Sequence, residues 1–367
     1  MSTQSNPDSI PLWMRLAALI AGLFIGLGLS WLWVNGREAG ERTAAPIPAD
    51  ETAESILYLS PAGGGTQLWV VDLDTRDQRQ VTDVPGEITG FSPAPDGSAV
   101  IIAVDDRDGT SSLQLVHLPT GEMTQLLECG ERRCESPAWS VNGRIAFVWE
   151  GVGLETAQGI WVLDPDEGEE QLLREGRLHS PSWSPDGLWL AVLDDGQLVI
   201  RLMDVTEDRE NLIPTSMGVM GSWAPGGQAF AYIDLLLSYE PIGRLYRVEF
   251  GTGEIVPIEP EGYEEADFGG VAWSPAGDQL AASVRRSGEG QGRRLLVMDP
   301  DGETLQVIAE ELDVVYGGAH WNRDGRLLTF QRFDLQNTDR GPSVLIWSEE
   351  GGLETVAEQG YLPVFLP

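Results

Sequence analysis

One short motif recurs along most of the chain, and it limits the possible folds more than any other feature of the 367 residues. It is complete at Ser180-Pro181-Ser182-Trp183-Ser184-Pro185-Asp186-Gly187, which leads into the apolar Leu190-Ala191-Val192. The same order of residue types returns at Trp139 to Gly143, Trp223 to Gly227, Trp273 to Gly277 and Trp321 to Gly325. An earlier copy, Phe91-Ser92-Pro93-Ala94-Pro95-Asp96-Gly97, reads as the same motif with a two-residue insertion. Phe91 to Trp321 covers 230 residues in five intervals, a mean of 46, close to the length of one four-stranded propeller blade.

The motif has a mechanical reading. Proline presets φ at the second position of a tight turn, Asp or Asn suits the third, and Gly takes the left-handed position that closes it. The aromatic residue before the turn ends an inner strand and packs between neighbouring sheets. Apolar second strands follow, such as Ile145 to Trp149, then third strands ending in Asp, such as Ile160 to Asp164. Helical periodicity is absent from this region, so an α/β sheet would have nothing to cover it. The fold class is therefore all-β. Ser55 to Leu59 and Leu68 to Asp72 read as second and third strands without an inner one, and Tyr361 to Pro367 as an inner strand with nothing after it. Together they complete one blade. Six internal copies plus this shared blade predict a seven-bladed β-propeller over 55–367, closed by the strand 361–366, with six blades as the alternative. Such closure removes two exposed sheet edges.

These repeats resemble the WD-like repeat of TolB-type β-propellers, over about 310 residues. The resemblance implies the propeller fold, although TolB itself resembles a six-bladed version.

The first 54 residues read differently. Leu16 to Val34 runs for 19 residues without a charge, enough to cross a bilayer's hydrocarbon core, with Trp13 before it and Trp31 and Trp33 at its end. Residues 1–11 are then a short tail, 12–34 a transmembrane helix and 35–54 a tether rich in Ala, Pro, Glu and Thr. A cleaved signal peptide is the competing reading, but Trp31, Leu32 and Trp33 occupy the place of its small-x-small cleavage site. Arg15 before the span and Arg37 with Arg42 after it nearly balance, so flanking charge does not set orientation.

Charge and residue inventory narrow the function. There are 58 Asp plus Glu against 23 Lys plus Arg, a net charge of -35, which repels phosphate backbones, so nucleic acid is not an expected partner. Every cation is Arg. The absence of Lys removes Schiff-base and P-loop chemistry. Cys129 and Cys134 lie close enough in one loop to predict a local disulfide, which suits an oxidising compartment. His117, His179 and His320 fall at different places in their repeats, so a shared metal is not expected, and no cofactor is. No G-x-S-x-G elbow occurs. Asp105 to Gly109 and Asp72 to Asp74 lack the full EF-hand spacing and read as turns, while the longer acidic run Glu261 to Asp267 reads as a solvated turn, with recognition of a cationic partner as the alternative.

In a propeller the loops entering the inner strands share a face with the loops between second and third strands. That face is predicted to gather Arg132, Arg133, His179, Tyr263, Tyr316 and Tyr361, with Leu235 to Tyr239, Arg285 and Arg286 nearby; Tyr and Arg are enriched at binding hot spots. The expectation is a membrane-anchored extracytoplasmic propeller, single-pass and monomeric in its propeller. It would act as a non-catalytic scaffold for an envelope protein or peptide, touching the bilayer through its N-terminal helix. The alternative is a metal-dependent lyase or hydrolase working in the central channel, dependent on His179 or His320.

Overall fold

The computed structural model describes residues 54–367 except 63–64, 131, 152–157, 166, 208, 217–218, 237–241, 287, 289 and 304. The predicted tail, the membrane helix over 12–34 and the tether up to residue 53 lie outside the described residues. Among the described residues no helix is long and apolar enough to cross a membrane.

Seven four-stranded antiparallel sheets make up the described chain. Blade 1 is the shared one: its inner strand is Tyr361–Phe365, followed outward by Ser55–Ala62, Gly65–Asp72 and Gln78–Gln80. Ile56 pairs with Phe365 and Leu57 with Val364, so the tail supplies what the head lacks. Blades 2 to 7 begin at the inner strands Glu87–Pro93, Arg133–Trp139, Leu178–Trp183, Ser222–Trp223, Asp267–Trp273 and Val314–Trp321, and each runs outward in chain order.

The second strands are buried on both faces because each sheet is covered by the next. Val100 to Val104, Ile145 to Phe147 and Leu190 to Val192 are fully buried, which is why they read as unbroken apolar runs rather than alternating ones. The core is divided accordingly. Seven clusters of buried side chains fill the seven gaps between successive blades, including the closing gap, where Ile56, Tyr58 and Val71 of blade 1 meet Val344 and Ile346 of blade 7.

The motif residues do what their chemistry dictates. Gly187 sits at φ 67° and its N–H donates to Ser184 O at 2.8 Å, closing the turn. Gly97, Gly143, Gly227, Gly277 and Gly325 take the same left-handed conformation in their own turns. The residue after the Trp is a buried latch: Ser184 Oγ donates to Asp186 Oδ1 (2.6 Å) and accepts the Trp189 N–H (2.9 Å). Ser140, Ser274 and Asn322 accept the equivalent backbone N–H in their blades. The Trp rings seal the seams between blades. Trp183 Nε1 donates to Ala138 O (2.9 Å), Trp223 Nε1 to Ser182 O (3.1 Å) and Trp321 Nε1 to Ala272 O (3.3 Å), each reaching the preceding blade.

The first copy of the motif needs a correction. Pro93, not Phe91, pairs with Val100 as Trp183 pairs with Leu190, and Ala94 N–H donates to Ala99 O as Ser184 N–H does to Trp189 O. There is no insertion: Pro93 stands at the Trp position and Phe91 lies two residues earlier. The local likeness of Phe-Ser-Pro to Trp-Ser-Pro misled the sequence reading, and strand register decides otherwise. In blade 1 the same position is held by Phe365, 4% exposed, with Leu366 N–H donating to Ser55 O at 2.9 Å.

Candidate functional site

The loops that enter the inner strands lie on one face of the ring, opposite the motif turns. Blade 3 is entered through the Cys129–Cys134 disulfide, whose Cα atoms are 6.1 Å apart. Both cysteines are buried. The Arg132 guanidinium lies over the Trp149 ring at 5.2 Å, and Arg133 Nε donates to Asp105 Oδ2 of blade 2 at 3.0 Å while Nη1 pairs with Glu135 at 3.1 Å. Arg133 thus ties the blade 3 entry to blade 2. Burial pushes the Glu135 carboxyl upward, against the opposing pull of Arg133.

His179 opens the inner strand of blade 4. Its Nδ1 is 3.1 Å from Ser180 Oγ and its Nε2 is 3.0 Å from Asp195 Oδ1. Tyr361, half-buried at the entry to blade 1, donates through Oη to Thr66 Oγ1 (3.3 Å), which donates to Glu87 Oε1 (3.1 Å).

Two of the six predicted residues are not surface groups. Tyr316 is 0% exposed and Tyr263 is 8% exposed. The Tyr316 ring packs edge-on against Phe330, its phenol donates to Glu311 Oε1 at 2.5 Å, and burial pushes the phenol upward. Glu311 also accepts a fork from Arg332 (3.0 and 2.8 Å), which holds its carboxyl below the usual carboxylate range. Tyr263 lies beneath the Arg286 guanidinium, 5.3 Å from its ring centroid. Sequence reading placed both rings in solvent because it assigned them to loops; their apolar bodies fill the gaps between blades instead. The leucine run resolves in part: Leu235 and Leu236 extend the second strand of blade 5, while 237–239 lie outside the described residues.

Other groups on this face had no sequence signal beyond opposite charge. Asp267, 7% exposed at the start of the blade 6 inner strand, accepts from Arg285 (3.0 Å) and Arg293 (2.6 Å), and its Oδ1 accepts the Gly243 N–H of blade 5 at 2.8 Å. Sequence separation hides such a hub. Leu312, in the loop entering blade 7, is 86% exposed, the most exposed large apolar side chain among the described residues.

Two clefts open on this face. One, between blades 3 and 4, is lined by Glu135, Glu150, Gln158, Arg177, His179 and Asp195. The other, between blades 6 and 7, is lined by Arg285, Arg286, Arg294, Glu310, Glu311 and Leu312. A larger groove lies on the opposite face, among Glu54, Asp278, Asn322, Asp324, Arg326 and Glu350. Among the described residues no group of three or more His, Cys, Asp or Glu side chains is placed to hold a metal ion. The three histidines sit in blades 2, 4 and 7. His117 Nδ1 is 2.9 Å from Thr120 Oγ1. His320 precedes Trp321 and its Nδ1 accepts the Phe365 N–H at a long 3.5 Å. Ser92 and Ser222 hold the same place in blades 2 and 5 and accept the N–H of Trp139 (3.0 Å) and Trp273 (2.9 Å), so His320 fills a seam position. The residue itself is exposed, and its ring lies 6.2 Å from that of Phe365.

No protein-family model matches the chain. One stretch of 74 residues, 19% of the chain, is 39% identical to dipeptidyl-peptidase 5 of Porphyromonas endodontalis, and the match spans only 11% of that protein's length. Among solved structures, oligogalacturonate lyase from Vibrio parahaemolyticus is 14% identical, with 83% of this chain and 89% of that one covered and a TM-score of 0.62. The β-propeller domain of the Trilobed protease from Pyrococcus furiosus is 13% identical over 86% of this chain and 98% of that one, TM-score 0.61. TolB from Acinetobacter baumannii is 17% identical over 85% and 82%, TM-score 0.50. The structural neighbours thus include a TolB protein together with propellers of a lyase and a protease, and what all of them share with this chain is the fold.

Proposed function

We propose that the chain is a binding scaffold whose loop face engages a protein or peptide of the cell envelope, held at the membrane by residues 12–34 with the monomeric propeller outside the cytoplasm. The reading is supported chiefly by the loop face: a ring closed by its own tail carries polar side chains from successive blades around a protruding Leu312. A rigid platform of this kind loses little conformational entropy on binding. The TolB neighbour agrees with it, and the net charge of -35 argues against nucleic acid as the partner.

The test is photo-cross-linking in the native membrane from a reactive residue placed at Leu312 or Arg133. Capture of one envelope protein from both positions, absent when the probe is placed at Glu350 on the opposite face, is the expected result. Capture of nothing but lipid and the chain itself would overturn it. Protease added to intact cells should remove the propeller; full protection until lysis would place it in the cytoplasm. The lyase and protease neighbours keep a channel enzyme as the second reading. Stoichiometric metal in the purified chain, lost on replacing His179 or His320, would favour that reading.

A further inference from the structure

At the edge of the cleft between blades 3 and 4 lies a chemical arrangement that the binding reading does not use. Ser180 Oγ, His179 and Asp195 form a hydrogen-bonded chain, Oγ to Nδ1 at 3.1 Å and Nε2 to Asp195 Oδ1 at 3.0 Å. The His179 and Asp195 side chains are 37% and 44% exposed and line the cleft, and Ser180, partly exposed, adjoins it through His179. The inner strand bulges here: His179 pairs with Leu193 and Ser182 with Ala191, leaving Ser180 and Pro181 outside the regular register. Ser180 itself has φ 54°. Bulges re-aim side chains, and left-handed non-glycine residues are uncommon.

The backbone conformation belongs to the repeat rather than to this blade. Ser136, Gly318 and Leu362 hold the same place in blades 3, 7 and 1, at φ 51°, 62° and 51°. What blade 4 adds is chemistry: Ser136 is preceded by Glu135, and neither Gly318 nor Leu362 has a nucleophilic atom. Among these four positions only Ser180 puts a hydroxyl beside an imidazole that is oriented by a carboxylate.

We infer that Ser180 is a nucleophile activated by His179, with Asp195 as the positioning residue, and that the blade 3 and 4 cleft accepts acyl esters. With Asp195 accepting the Nε2 proton, Nδ1 is left free to take one, the tautomer that the step requires. Ser180 Oγ attacks the ester carbonyl carbon as its proton passes to Nδ1. The tetrahedral adduct collapses, the C–O bond to the leaving alcohol breaks, and that alcohol takes the proton from Nδ1. Water then attacks the acyl-serine, gives its proton to Nδ1, and Ser180 recovers it as the carboxylic acid departs. No oxidant or cofactor enters the balance. Glu135 and Glu150 line the same cleft, so neutral or cationic acyl groups are favoured over anionic ones. The inference stands or falls independently of partner binding.

The test uses the full-length chain in detergent, with a fluorophosphonate probe and p-nitrophenyl acetate. One adduct is expected on Ser180, located by peptide mass. Ser180→Gly should abolish it while preserving the left-handed backbone, and Ser136→Gly should leave it unchanged. His179→Gln should slow labelling about 100-fold or more. Asp195→Asn should lower kcat for the ester with KM unchanged, and Asp195→Glu should restore most of it. Labelling that is absent, that is no faster than in urea-unfolded chain, or that survives His179→Gln would overturn the assignment.

Discussion

Blades 4 and 1 are built to the same plan but joined differently. In blade 4 the inner strand Leu178–Trp183 passes through the Ser184-Pro185-Asp186-Gly187 turn directly into its partner Trp189–Asp194. In blade 1 the inner strand Tyr361–Phe365 meets Ser55–Ala62 with no turn between them, since the two come from opposite ends of the chain. The contacts are nonetheless equivalent: Phe365 stands where Trp183 stands, and Leu366 N–H reaches Ser55 O as Ser184 N–H reaches Trp189 O. The difference shows that blade 4 is held by local geometry, whereas blade 1 is held by side-chain burial and ladder bonds alone, against the entropy of bringing distant ends together.

The largest expected effect comes from removing residues 361–367. That deletion exposes the edge of Ser55–Ala62 and opens the gap between blades 7 and 1, so the chain should lose its cooperative thermal transition; an unchanged Tm would show that closure contributes nothing. Next come two matched substitutions. Trp183→Ala and Phe365→Ala each delete a large seam residue and should cost about 3–5 kcal/mol by denaturant unfolding. Phe365→Ala alone should also make the C-terminal strand sensitive to carboxypeptidase under native conditions, because no turn retains it. Equal digestion of the two variants would erase the distinction.

A smaller effect concerns pH. The Arg332 fork and the Tyr316 phenol hold the Glu311 carboxyl, in the loop entering blade 7, below its ordinary 4.5. Below 4.5 the unfolded chain binds more protons at this group than the folded one, so the stability the group contributes is complete above 4.5 and is lost as pH falls below it. Glu311→Gln removes this titration; the difference in Tm between wild type and variant should therefore shrink below pH 4.5 and be flat above it. The smallest effect is at the rim. Arg76 and Glu354 join blades 1 and 7 at 2.6 Å, but their side chains are 41% and 47% exposed. Arg76→Ala should cost no more than about 1 kcal/mol and less still at high salt, and a larger loss would mean that closure depends on charge more than on Phe365.

Legibility followed the range of the interactions. The turns could be read because Pro, Asp and Gly act on the backbone within four residues, and Gly187, Gly277 and Gly325 all adopt the left-handed conformation. The closing strand could be read because an inner strand without a successor and an outer pair without a predecessor complete each other. The candidate site was less visible. Loop-face residues could be listed from topology, but Tyr316 and Tyr263 turned inward, and the Asp267 hub joins residues from different strands and two blades. Ser180 gave no cue of its own, since Ser136-Pro137 repeats the same dipeptide in blade 3.

The amino-acid order by itself determined the repeat and its turns and narrowed the blades to six or seven, because backbone preference and apolar runs act locally and add up along the chain; the pairing of the two chain ends made the count seven. Only the tertiary structure decided that Pro93 rather than Phe91 takes the seam position, which tyrosines are core, and that His179 meets Asp195. Each of those depends on strand register or on the approach of chain segments that lie apart in sequence, and neither is written into any single stretch of residues.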